Sequence, residues 1–536
     1  QPESRNLINV VVAEPPAPAA QPVSPLDQPT SPLTPPSAVT ATLAPTVTAL
    51  ITAAPMTTTN VTEEPPLSAT PMPMATNAIT QTTTLAERAT PPPPLPVQAL
   101  NLPEISQSEL ANGLEVISVP QDQLPIFTAV LVLPGGESAA PAAQTGAAAL
   151  TADLLTRGTT TRSAQEIAGT IEETGGRLTA TAGQDAINVL VGGLSENFAE
   201  SLALLGDVAL NPTFPAEELE LARQQTLTGL QVALSTPAVV AQRTLDEILY
   251  GDHPYGQNIT LDEVATITRT DLVDYYETQF QPEGATLVVI GDVTHEEAVA
   301  QAEAIFGDWS GAATAAAVDY PATPTRDEPT IYLIDRPGST QATIALGHIL
   351  TDTLGQDRFA VAVANQVLGA GPASRLFQEL REERGYTYGI YSSIATPRDR
   401  GSLTIQASVR NEVVAPALTA ILDELTTLRT TAVPTAELAS NKAYLIGNYA
   451  LQTETAAAVA ARLLDLQLRG LPLSDLEEYP EAIDAVGAEE VLAAAQAYIR
   501  PDEVAIVVVG DADLIEEQLG AVAPVIRVPD PLAPTD

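Results

Sequence analysis

Several things are scarce in this chain, and each scarcity removes a class of function. There is no cysteine among the 536 residues, so neither a disulfide framework nor a thiolate metal site can form; this alone does not fix the compartment. There are three histidines, His253, His295 and His348, and no two stand four apart as ligands on one helical face would. Each reads as a turn or surface residue, and a conventional zinc site within the chain is not expected. Positive charge is scarce as well: Lys+Arg number 23 against 67 Asp+Glu, giving a formal charge of -44, and Lys442 is the single lysine. Phosphate backbones and anionic lipid surfaces would be repelled, which removes nucleic-acid binding from consideration. No membrane span is legible either. The longest uncharged stretch, about Pro32 to Val61, is rich in Thr and broken by Pro35, Pro36, Pro45 and Pro55.

What the chain does have begins with a leader. Residues 1–98 are dominated by Pro, Thr and Ala, lack aromatics, and close on the run Pro91 to Pro94 with Leu95-Pro96. Such a segment cannot bury enough apolar surface to offset its ordering entropy, so it is expected to be a disordered, partly polyproline spacer. Spacers of this kind separate folded domains from membrane or wall anchors, from which an extracytoplasmic location, periplasmic or cell-surface, is expected. Residue 1 is Gln rather than Met, which points to a removed targeting segment or an incomplete gene start.

From about Leu100 strand-like runs alternate with amphipathic helices. Leu114–Val119 and Ile126–Leu133 read as strands, Gly146–Arg157 and Ser163–Glu173 as helices, and Arg177–Ala182 with Ala186–Val191 as a hairpin. Ala199–Leu210 and Ala216–Leu234 read as two further helices. The pattern then repeats. Pro215 and Pro434, Pro282 and Pro501, and Gly291 and Gly510 stand in matching contexts, each pair 219 residues apart. Three anchors without drift imply two copies of one fold of about 200 residues. The divisions expected are a leader over 1–98, a first half over 99–311, an Ala/Thr/Pro-rich linker over 312–329, a second half over 330–525 and a tail over 526–536.

Four segments carry family information. The block Gly146-Ala-Ala-Ala149-Leu-Thr-Ala152-Asp153-Leu-Leu-Thr-Arg-Gly158-Thr159 is framed like a metal-binding helix; Phe214-Pro215 precedes a Glu-rich helix; Tyr250-Gly-Asp-His-Pro-Tyr-Gly256 follows. In the second half Leu368-Gly369-Ala370-Gly371-Pro-Ala-Ser374-Arg375-Leu376-Phe377 leads into Leu380-Arg381-Glu-Glu-Arg384-Gly385-Tyr386-Thr-Tyr388. Together these resemble the insulinase-type M16 peptidases, of the kind related to mitochondrial processing peptidase, over about Leu100 to Gly520. The resemblance implies an α/β (α+β) clam-shell of two homologous halves, each a mainly antiparallel sheet with helices on one face, related by pseudo-two-fold symmetry.

On the frame of that resemblance the two zinc-binding histidines fall on Ala149 and Asp153, the general-base Glu on Ala152, and the third ligand on Thr228 or Gly229. Two methyl groups, one carboxylate and a Thr or Gly cannot activate a metal-bound water. Arg381 and Tyr388 correspond to the pair that family members direct at the scissile peptide, a permanent cationic donor and a neutral one. Local sequence leaves a second reading open, in which Arg381 favours a helix C-terminus and Tyr388 packs in a sheet.

The expectation is a non-catalytic subunit, inactive alone, that binds no cofactor. It would pair as a heterodimer with a zinc-bearing M16 homologue and hold a peptide or unfolded protein through Arg381 and Tyr388. Two alternatives are a structural or peptide-binding scaffold, and an autonomous metalloendopeptidase with an unrecognised site. Gly369-Ala-Gly371 lacks a following Lys, so phosphate binding is not expected.

Overall fold

The computed structural model describes residues 105–311, 318–350 and 355–532, so the expected leader, most of the Ala-rich stretch of the linker and the last four residues lie outside it. Among the described residues, twelve strands form two six-stranded sheets. The first contains β1 (Ser106–Glu109), β2 (Glu115–Pro120), β3 (Ile126–Pro134), β4 (Arg177–Ala182), β5 (Ala186–Leu194) and β6 (Thr286–Gly291), in the order β1-β2-β6-β3-β5-β4. The second contains β7 (Thr330–Asp335), β8 (Gln341–Ile349), β9 (Thr387–Ala395), β10 (Ser402–Arg410), β11 (Ala505–Gly510) and β12 (Val525–Val528), in the order β12-β7-β11-β8-β10-β9. Both are mainly antiparallel, with parallel pairing of β2 to β6 and of β7 to β11 and β12. The stretch from residue 526 expected as a tail thus lies partly in β12, whose apolar Val525 and Val528 extend the sheet edge.

The first five α-helices of the first half are α1 (Ala147–Leu155), α2 (Ala164–Glu173), α3 (Phe198–Leu210), α4 (Ala216–Ser235) and α5 (Pro237–Tyr250), and Leu261–Thr266, Arg269–Gln279 and His295–Phe306 follow them. Local chemistry sets their ends. Ser163 and Glu166 form a reciprocal capping box on α2, Pro237 occupies the first turn of α5, and Gly251 terminates it at φ +60°.

The 219-residue offset survives as structure. β6 begins at Thr286 and β11 at Ala505; α4 begins at Ala216 and its counterpart helix Thr435–Gln452 at Thr435; α5 begins at Pro237 and the helix Ala456–Leu468 at Ala456.

The expectation of helices on one face needs an addition. Each sheet's second face is covered by a helix from the other half. α5 lays Val240, Ala241, Leu245 and Leu249 on Ala345, Val507 and Val509 of the second sheet. Reciprocally, the helix Ala456–Leu468 lays Val459, Ala460 and Leu463 on Ile117, Val288 and Ile290 of the first. This is why β6 and β11 are buried at all six positions and read as unbroken apolar runs. Apolar area of this kind stabilises by about 25 cal/mol per Å² removed from water, so the exchanged helices tie the halves together strongly.

Candidate functional site

α1 opens at Gly146, whose φ of +98° and position against Ile259 leave no room for a side chain; a Cβ there would lie 2.2 Å from Ile259 Cδ1. The buried carboxylate of Glu137 holds the helix start, accepting the N–H groups of Gly146 at 2.9 Å and Ala149 at 2.8 Å. Burial raises the Glu137 pKa even though these two bonds favour the ion. No capping spacing in the sequence announces Glu137, because it reaches the helix from a separate turn.

The residues on the family frame are thereby placed. Ala152 is fully buried in the core of the first half, Ala149 is half-buried, and Asp153 faces outward in an ion pair with Arg157 at 3.3 Å. α4 packs against α1. Thr228 is exposed on it and donates to the carbonyl of Gln224 at 2.8 Å, while Gly229 is half-buried. Two methyls and an arginine-paired carboxylate do not fit the donor set of a zinc ion. Among the described residues no group of three His, Cys, Asp or Glu side chains is placed to hold a metal.

His253 sits in a turn, as expected, though fully buried; His348 departs from expectation, buried in β8, where burial pushes its pKa down to about 4. His295 is half-buried at a helix start, bonded to Ser108 and Ser118 at 2.7 Å each. His253 Nδ1 accepts the N–H of Tyr255, so Nε2 carries the proton toward Asp399 at 3.1 Å. Tyr255 in turn donates to Asp185 at 2.8 Å, and Asp185 accepts the N–H of Arg398 at 3.0 Å. This network binds the Tyr250–Gly256 turn of the first half to the β9–β10 connection of the second. Its members lie up to about 200 residues apart, so no local signal reveals it.

The second-half pair sits in another setting. The chain passes from Arg375–Phe377 through one π-helical stretch, Gln378–Glu383, and Gly385 at φ +60° releases it into β9. Arg375 fixes this segment from below: it bonds Glu437 at 2.7 Å and Glu424 at 2.9 Å. The preceding loop lies flush on β9, since Ser392 N–H donates to the Gly369 carbonyl and a Cβ on Gly369 would meet Ser392 Oγ at 2.6 Å.

Above this base Arg381 is 45% exposed, its guanidinium 4.6 Å from the Phe377 ring centroid and 3.6 Å from Glu382. Tyr388 is 89% exposed on β9, which is the free edge of its sheet. An edge strand presents unpaired backbone groups that an extended peptide can meet. Tyr388 is therefore not packed in the sheet.

Two interlocked sheets with exchanged helices, a capped but donor-poor helix in one half and an exposed Arg and Tyr in the other, define a duplicated α/β protein. Residues 116–263 match the family model for insulinase, peptidase family M16, and residues 266–445 match the model for the peptidase M16 inactive domain. The chain belongs to the M16 peptidase family. It is 27% identical over 396 residues to an uncharacterized zinc protease of Mycobacterium leprae, covering 73% of this chain and 88% of that one. An uncharacterized zinc protease of Bacillus subtilis is 25% identical over 340 residues, covering 63% and 82%. Among solved structures, a peptidase M16 inactive domain from Pseudomonas fluorescens superposes with a TM-score of 0.71 at 28% identity, covering 77% of this chain and 98% of the other. A protease from Helicobacter pylori shares the fold with a TM-score of 0.71 at 20% identity, covering 76% and 100%.

Proposed function

We propose that this chain is the non-catalytic subunit of a two-chain M16 zinc peptidase. The observation that carries the reading is the contrast between Ala149, Ala152 and Asp153, filled with methyls and an internally paired carboxylate, and Arg381 with Tyr388, held outward on a braced segment. In this reading a homologous partner chain would hold the zinc, which would supply the activated water. Arg381 and Tyr388 then donate to the scissile carbonyl oxygen and stabilise the charge that develops on it. The β9 edge supports the peptide by main-chain pairing. An extracytoplasmic location, from the Pro/Thr-rich leader, completes the proposal.

A one-to-one mixture with the zinc-bearing homologue encoded nearby should cleave peptides faster than the homologue alone. Equal rates would remove the proposal.

One observation favours the scaffold reading instead. Arg381 already has local company in Phe377 and Glu382, so it can serve as a structural cation. A gene neighbourhood lacking any His-x-x-Glu-His homologue would support that reading.

A further inference from the structure

A cavity of about 260 Å³ opens in the second half between the helices Arg358–Leu368, Thr435–Gln452, Ala456–Leu468 and Asp475–Ala485. It gathers three arginines, Arg358, Arg462 and Arg469, in a chain where acidic residues outnumber basic ones nearly threefold. Two are answered by carboxylates. Arg358 makes a bidentate pair with Asp475 at 2.9 and 2.7 Å, and Arg469 pairs with Asp465 at 3.0 Å. Among the described residues Arg462 reaches the amide oxygen of Gln452, at 3.2 Å, and the Tyr449 ring, 5.5 Å away, and pairs with no carboxylate. Three guanidinium groups against two carboxylates leave one positive charge at the wall.

Two buried donors are also left over. Gln366 is 2% exposed and lines the cavity, and its Nε2 finds no acceptor among the described residues. Arg469 Nε is likewise buried and without an acceptor among them. An unanswered buried donor costs about 1–3 kcal/mol, so a site that keeps two of them beside an unbalanced charge is built for an acceptor from outside. Apart from Asn365 and Thr396 the rest of the wall is apolar or aromatic, with Leu445, Leu466 and Tyr449, the last stacked on Tyr479 at 4.2 Å.

We propose that this cavity binds a single carboxylate carried on a small apolar body. One charge matches one unbalanced guanidinium, the unanswered donors of Gln366 and Arg469 belong to residues of the same wall, and the apolar surface takes the body. A phosphate dianion would leave a buried negative charge. The carboxylate can belong to a small free acid or to the C-terminal residue of a peptide. The inference is independent of the partner-subunit reading, since it requires neither zinc nor cleavage.

The test is isothermal titration of the full chain with 4-phenylbutyrate, its amide, a short peptide ending in Leu-Phe with a free carboxyl, the same peptide as its amide, and inorganic phosphate. At least one of the two acids should bind, each binding acid about 10-fold or more tighter than its amide, as expected for a charge-assisted contact. The stronger acid identifies the source. Arg462→Met and Gln366→Leu should each weaken that acid by about 3- to 30-fold while the thermal midpoint holds or rises, because an unanswered donor or charge is removed. The proposal is overturned if neither acid binds up to about 10 mM, if amides bind as tightly as acids, if phosphate matches the acids, or if both variants bind like wild type.

Discussion

The two halves share topology from β2 to β6 and from β7 to β11, yet they have spent their surfaces differently. In the first, the helix that the family uses for chemistry is sealed: Ala152 is in the core, Asp153 is tied to Arg157, and Glu137 works as a cap. In the second, the turn into β9 is braced from beneath by Arg375, Glu424 and Glu437, and above that brace Arg381 and Tyr388 face outward. Duplication followed by divergence can keep a fold in both copies while only one keeps groups that touch a ligand. The exchanged helices make the first half necessary to the second: it supplies α5, without which the second sheet's face would be bare.

The largest effect should come from the exposed pair. Arg381→Ala is expected to lower the rate of the mixed peptidase by about 100-fold, and Tyr388→Phe by about 10-fold, in steady-state assays on a fluorogenic peptide. Neither should move the thermal midpoint, because neither side chain is buried. An unfolded variant or an unaffected rate would break the contrast between the halves.

Next come the exchanged helices. Leu245→Ala in α5 and Leu463→Ala in its counterpart each empty a fully buried site and are expected to cost about 2–5 kcal/mol in denaturant unfolding. A large loss at one with none at the other would show that only one half depends on the exchange.

The pH response should be smaller and two-sided. Burial raises Asp246, on α5, to about 7 from 3.8, so the folded chain holds a proton that the unfolded chain releases; that stability is present below about pH 4 and is lost as pH rises through 7. His348 runs the other way. Its folded value near 4 lies below the ordinary 6.5, so stability present above 6.5 is lost as pH falls toward 4. Asp246→Asn should raise the midpoint by about 2–4 °C at pH 8 and little at pH 4, read by calorimetry.

The smallest effect should be Asp153→Ala. Its ion pair is 43% exposed and solvent-screened, so less than about 1 kcal/mol should be lost.

Much of this was legible in the residues. The shared 219-residue spacing foretold the duplicate sheets. The burial of both strand faces left a trace, the unbroken runs of β6 and β11, but the covering helices lie in the other half. Periodicity reports that a face is apolar and not which segment meets it. The same holds for Glu137, the His253–Asp399 pair and the orphan donors of the arginine cavity, which are made only by tertiary approach.

The metal is proposed to belong to another chain. Zinc measured by mass spectrometry in the isolated chain, and in its equimolar complex with the zinc-bearing homologue, tests this most directly. Only traces are expected in the isolated chain, and stoichiometric zinc in the complex. Stoichiometric zinc in the isolated chain would contradict it.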